Sequence, residues 1–225
     1  VGESYPRSGM NSAERAGGYD VVEARHTGRP AGWTRERDTT ELRRAWVRTR
    51  HAVLVRAVLA RGLPFETAWT VGLALIAHYV RECGWGRAEW NWSLGNIRWT
   101  QGWPKAHLLH GGDDSEPRPY RAYDSLDAGA ADAVRLASTG PKTRAHPNGI
   151  YADAWAFLVG GGDPVEWYDK LMHAGWHPWS EAALGEYRSI HATVTGWCGA
   201  SAPAGGAAAL GALLTLVVLS LVVMG

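Results

Sequence analysis

Apolar spacing divides the chain into a helical middle and two flanks of different character. Asp38-Thr39-Thr40 supplies oxygen-bearing side chains of the kind that cap a helix N-terminus. The apolar period then runs to about Arg61, and Gly62 stops it. Pro64 suits the first turn of a second helix over about residues 65–83. The centre of that helix, from Ala68 to Ala77, is apolar nearly all round, so the helix is predicted to be buried. The period lapses over residues 84–122, where Gly, Trp, Asn, Pro and the acidic run Asp113-Asp114-Ser115-Glu116 predict loops with a short hairpin. Helical spacing returns at 125–138, 149–159, 164–174 and 180–195, interrupted at Gly140-Pro141, Gly160-Gly161-Gly162 and Gly175. The expected fold is mainly α, of the α+β kind, with one helical domain over 38–197 and a small loop and hairpin lobe.

The flanks read differently. Residues 1–37 are rich in Gly, Ser, Arg and Pro without an apolar period, and are expected to form an irregular N-terminal arm without a secretory signal. Residues 198–205 form a small-residue linker. Residues 206–225 carry no charge and are long enough, as a helix, to cross a hydrocarbon core. A C-terminal transmembrane helix is therefore expected, with a lipid membrane as a partner. Its orientation stays open, because no Lys or Arg lies between Ser189 and the C-terminus.

Charge narrows the function classes. Lys+Arg 23 against Asp+Glu 22 leaves a formal net charge of +1 among 225 residues, which argues against nucleic acid as the main partner. Two cysteines, Cys83 and Cys198, exclude a disulfide-dense scaffold and a four-cysteine zinc site, and leave open whether they pair. Trp is over-represented, 13 residues against two Phe. Indoles at that density suit carbohydrate or membrane-interface contact, or replace Phe in the core.

The leading candidate for chemistry is Glu82, in Tyr79-Val80-Arg81-Glu82-Cys83-Gly84-Trp85-Gly86. A carboxyl at the C-terminal end of an apolar helix meets both desolvation and the negative end of the helix dipole, and both favour its protonated form. A carboxylic acid held protonated near neutrality is what acid-assisted glycosidic cleavage needs. The bland alternative is a surface Glu paired with Arg81 or His78. Other chemistries are weaker. Cys83 as a thiol nucleophile lacks a suitably placed His. His107 and His110 lack a third metal ligand. Gly160-Gly161-Gly162 lacks the Lys-Ser/Thr of a phosphate loop. No cofactor or metal is called for.

The order of motifs adds a resemblance. Glu82-Cys83-Gly84-Trp85-Gly86 resembles the Glu-Ser/Thr-Gly-Trp-Gly motif of the flagellar-rod type peptidoglycan glucosaminidases, glycoside hydrolase family 73, in the lysozyme-like superfamily. Leu94-Gly95-Asn96-Ile97-Arg98, Tyr120-Arg121-Ala122-Tyr123-Asp124-Ser125 and the stretch from Tyr168 to Trp176 resemble its later motifs in the same order. The Gly-Asn-Ile-Arg version is also similar to phage-borne lysin domains. Cys83, Asn96 and His177-Pro178-Trp179 depart from the family pattern.

The resemblance implies a lysozyme-like domain that cleaves the peptidoglycan glycan strand, as an endo-β-N-acetylglucosaminidase or muramidase, with Glu82 as general acid. Glu116 is the implied second carboxylate, with Asp113 and Asp114 as alternatives in the same run, and Tyr120 stands beside them. Trp85, Asn91, Asn96, Trp99, Tyr123 and Tyr151 are the expected substrate contacts, with Trp90, Trp92 and Trp103 as further cleft indoles. Two further readings remain: a lytic transglycosylase working with one Glu, and a lysozyme-like protein that only binds or scaffolds the wall. The substrate lies outside the cytoplasm. Delivery is therefore expected from a phage tail or similar injection particle, with that particle's proteins as possible partners, or else by tethering in the bacterial envelope after removal of a leader.

Overall fold

The computed structural model describes residues 19–28, 38–98, 100, 103–109 and 117–202. The element order is β1 (Asp20–Val21), α1 (Thr40–Leu59), α2 (Phe65–Cys83), β2 (Lys105–Leu109), β3 (Arg118–Arg121), α3 (Leu126–Thr139), α4 (Ala152–Val159), α5 (Pro164–His173) and α6 (Glu181–Cys198). The architecture is mainly helical with a small sheet, and the expected α+β character is met.

Local chemistry explains the boundaries. The Thr39 hydroxyl accepts from the Leu42 N–H, the Ser125 hydroxyl from Ala128, and the Ser180 hydroxyl from Ala183, so three helices start on side-chain caps. Asp163 caps α5 through the Val165 and Glu166 N–H groups, with Pro164 at its first position. Helix α2 is buried at every position from Val71 to Val80. It is the central element, with α1 and α6 packed along it. Tyr187 of α6 donates to the Ala74 carbonyl, and Tyr79 of α2 donates to the Ala133 carbonyl of α3. Both bonds satisfy phenols inside the core.

The sheet departs from the expected plain hairpin. β2 and β3 pair antiparallel, with His107 opposite Tyr120, but β1 from the N-terminal arm pairs parallel to β2. Part of the arm is thus integral to the lobe. Residues 22–28 continue along it, and the Asn91 side chain accepts from the Arg25 N–H at 2.5 Å and donates to the Glu23 carbonyl at 2.9 Å.

The expected C-terminal transmembrane helix is corrected. No helix among the described residues is long and apolar enough to cross a membrane. The last of them, α6, carries Glu181, Glu186, Arg188 and His191. Residues 206–225, on which that expectation fell, lie outside the described residues.

A buried ion pair joins the helical body to the lobe. Glu89 is fully buried; it accepts from Arg50 Nη2 at 2.8 Å, Arg50 Nε at 3.1 Å, Trp46 Nε1 at 2.8 Å and Thr27 Oγ1 at 3.1 Å. Removing one member of such a pair strands a desolvated charge. Glu89→Gln is therefore expected to lower unfolding stability by about 3–5 kcal/mol. Glu89→Gln combined with Arg50→Met should cost less than the two single losses added. Urea unfolding followed by circular dichroism measures both.

Burial also holds the His51 and His78 imidazoles well below their usual range, at about 4 and about 3. The unfolded chain takes up protons below pH ~6.5 that the fold refuses, so stability falls as pH drops through that point toward those values. Between pH 7 and 5 each imidazole should cost on the order of 2 kcal/mol. An unchanged urea midpoint across that interval would contradict the burial argument.

Candidate active site

The site is built at the end of α2. Gly84 closes the helix in the left-handed region at φ 57°, its N–H bonded to the Val80 carbonyl. Trp85 and Gly86 continue at φ 62° and 84°. A Cβ at Gly86 would lie 2.6 Å from Trp46 Cδ1 and 2.8 Å from the Gly28 carbonyl oxygen, so only glycine fits between α1 and the arm. Asn91, Trp92 and Asn96 also adopt positive φ. Asn tolerates that region and Trp does not, so backbone strain is concentrated in the loop that follows Glu82.

Glu82 sits in the last turn of α2 with its side chain 23% exposed. Its Oε1 is buried without a hydrogen-bond donor. Arg81 Nη1 stands 3.5 Å from that oxygen, near enough to attract it and too far to hydrogen-bond. Desolvation raises the Glu82 carboxyl above the usual range; the charges of Arg81 and His177 oppose this, and Glu186 reinforces it. Burial prevails because no donor compensates the lost hydration. Gly95 packs against the same turn: a Cβ there would lie 2.7 Å from the Tyr79 ring and 3.8 Å from Glu82 Cβ. The Leu94-to-Arg98 motif is thereby brought beside the carboxyl. Asn96, next in sequence, donates to the Ala88 carbonyl at 2.7 Å and leaves its buried Oδ1 without a donor.

Other predicted residues are placed differently. Glu116, Asp113, Asp114 and Trp99 lie outside the described residues. Tyr120, half-buried on β3, stacks on His107 at 6.0 Å. The Tyr123 hydroxyl donates to Asp132 at 2.6 Å inside a buried network with Arg121, so that phenol is committed to the core. Tyr151 is buried against Trp176 at 5.1 Å. Asn91 spends both ends of its amide on the arm. The indoles of the lobe are also engaged: Trp85 against Trp197, Trp90 against His26, Trp92 under Arg50 and Trp103 under Arg121.

Three neighbours shape the field at Glu82: Arg81, the pairing partner its sequence position suggests, and His177 and Glu186, whose sequence positions do not show it. Arg81 bonds Glu186 on α6 at 3.1 Å while facing Glu82, so it divides its charge between two carboxylates. His177 brings a titratable ring into the same field from the segment after α5. Glu186 lies 104 positions beyond Glu82 with no motif around it. The helical period places it on α6 but gives no sign that α6 packs along α2.

The weaker chemistries find little support in the geometry. The Cys83 thiol is buried, donates to the Tyr79 carbonyl at 2.8 Å and is pushed well above the thiol range by desolvation. Cys83 and Cys198 are both free thiols. His107 is buried, and burial lowers it to about 4. Among the described residues no group of three or more His, Cys, Asp or Glu is arranged to hold a metal.

No family model matches the chain, and no curated protein matches it. Among solved structures, the chain is similar to a C-terminally truncated glycoside hydrolase domain from Salmonella typhimurium FlgJ, at 15% identity and a TM-score of 0.45, with 68% of this chain and 98% of that chain covered.

Proposed function

We propose that this protein cleaves the glycan strand of bacterial peptidoglycan, with Glu82 as the general acid. The observation that carries this reading is a carboxyl oxygen at the end of the buried α2, deprived of hydrogen-bond donors and raised by desolvation, beside a strained glycine-rich turn. Protonated Glu82 delivers its proton to the bridging oxygen as the bond to the anomeric carbon breaks. Water then adds at that carbon and gives up its proton to a second carboxylate. In this reading Glu116 is that second group.

Glu82→Gln tests the assignment. It keeps the side chain's shape, so the thermal midpoint should stay unchanged while wall hydrolysis falls about 10²–10⁴-fold. Folded protein with hydrolysis near the wild-type level would reject Glu82 as the acid.

The charges around Glu82 make a second, independent test. The acid works protonated, so activity is lost as pH rises through its pKa. Glu186→Gln removes a negative charge that raises Glu82, and the alkaline limb of the pH profile should move to lower pH. Arg81→Gln removes a positive charge that lowers it, and the limb should move the other way. Limbs that stay in place in both variants would show that the pH profile belongs to another group.

A further inference from the structure

Among the described residues, Trp179 is the large apolar side chain left exposed, at 50%. Its plane is held: the indole Nε1 donates to Asp169 Oδ1 at 2.8 Å, and the His173 ring stands 5.6 Å away. A rigid, exposed indole gives a flat apolar face at little entropic cost.

Beyond His173 lies a cavity of about 480 Å³ between α4 and α5, bordered by His146 from the loop after α3. Its volume falls in the range of small-molecule sites, ~300–1,000 Å³. Phe157 supplies an apolar wall and is covered by Lys170 Nζ at 4.8 Å from the ring centre. Asp153 and His146 also line the cavity, with their side chains exposed to solvent.

The charges select the ligand. Lys170 is already paired with Glu166 at 3.3 Å, and His173 faces Asp169 at 3.5 Å. The exposed carboxylate of Asp153 disfavours a phosphate or other anion. A wholly apolar ligand would cover Asp153 without offering it a hydrogen-bond donor. Neutral rings bearing hydroxyl and amide groups satisfy the set: at the cavity Asp153 accepts, Lys170 donates and His146 does either, and the indole on the far side of His173 receives the apolar face of a neighbouring ring of the same strand.

We propose that Trp179 and the α4–α5 cavity form a glycan-holding subsite, distinct from the Glu82 site, for amino-sugar units of the strand. This rests on the glycan reading above. The geometry links the two places. The segment from His173 to Trp179 has His173 at the cavity and Trp179 against the His173 ring, while His177 contributes to the field at Glu82.

The test uses the full chain carrying Glu82→Gln, titrated with a β-1,4-linked N-acetylglucosamine hexamer while the indole N–H resonances are followed. The Trp179 resonance should shift on binding. Trp179→Ala and Asp153→Asn should each weaken binding about tenfold, a change expected from loss of one stacking or hydrogen-bonding contact. In the otherwise native chain each should raise KM on purified wall and leave kcat nearly unchanged. Hexamer binding that both variants leave intact would overturn the subsite, as would a Trp179 shift caused by isolated stem peptide and not by the hexamer. If the native chain fails to cut wall but Trp179→Ala still weakens hexamer binding about tenfold, the hydrolase reading falls and the subsite stands.

Discussion

The buried pair of Arg50 and Glu89 is the interaction on which the rest of the molecule depends. Arg50 belongs to α1, and Glu89 to the loop that leaves α2. Trp46 and Thr27 complete the shell, so one carboxylate fastens a helix, the strained loop and the N-terminal arm together. The Coulombic gain of such a pair is offset by desolvation, and its net effect on stability is small. Its effect on geometry is larger, because the buried charge has no alternative partner. The Gly84–Gly86 turn is held between Trp46 and Gly28 by the same constraint, and Glu82 precedes that turn.

Two carboxylates seven residues apart therefore take opposite roles. Glu89 is surrounded by donors and serves the framework. Glu82 is deprived of donors and is raised toward its protonated form. The contrast comes from surroundings alone, since both are Glu near the end of one helix. The tryptophans divide similarly. Those described in the lobe are engaged with Arg50, Arg121, His26 and Trp197, whereas Trp179 presents its face outward.

The helices were largely legible in the sequence because their determinants are local. Thr39, Ser125, Asp163 and Ser180 cap where their side chains allow, and Gly84 closes α2 at the expected residue. The raised carboxyl of Glu82 was legible too, from an apolar helix ending in an acid. The parallel pairing of β1 was not, because a two-residue strand has no periodicity and its partner lies about 85 positions away. Glu89 showed no signal either: its identity as a framework group depends on Arg50, 39 positions earlier. Asn91 and Tyr123 resemble polar site residues in sequence, yet the fold gives their polar atoms internal partners. The abundance of Trp left carbohydrate contact, membrane contact and core packing open, and it did not show which indole is left uncovered, since that depends on packing between distant elements.

The most direct measurement is mass spectrometry of the soluble fragments released from purified peptidoglycan by the full chain. The account predicts fragments cut at a sugar–sugar bond with stem peptides intact, a hydrated reducing end marking hydrolysis. Fragments cut only within the peptides, or no release by folded protein, would contradict it.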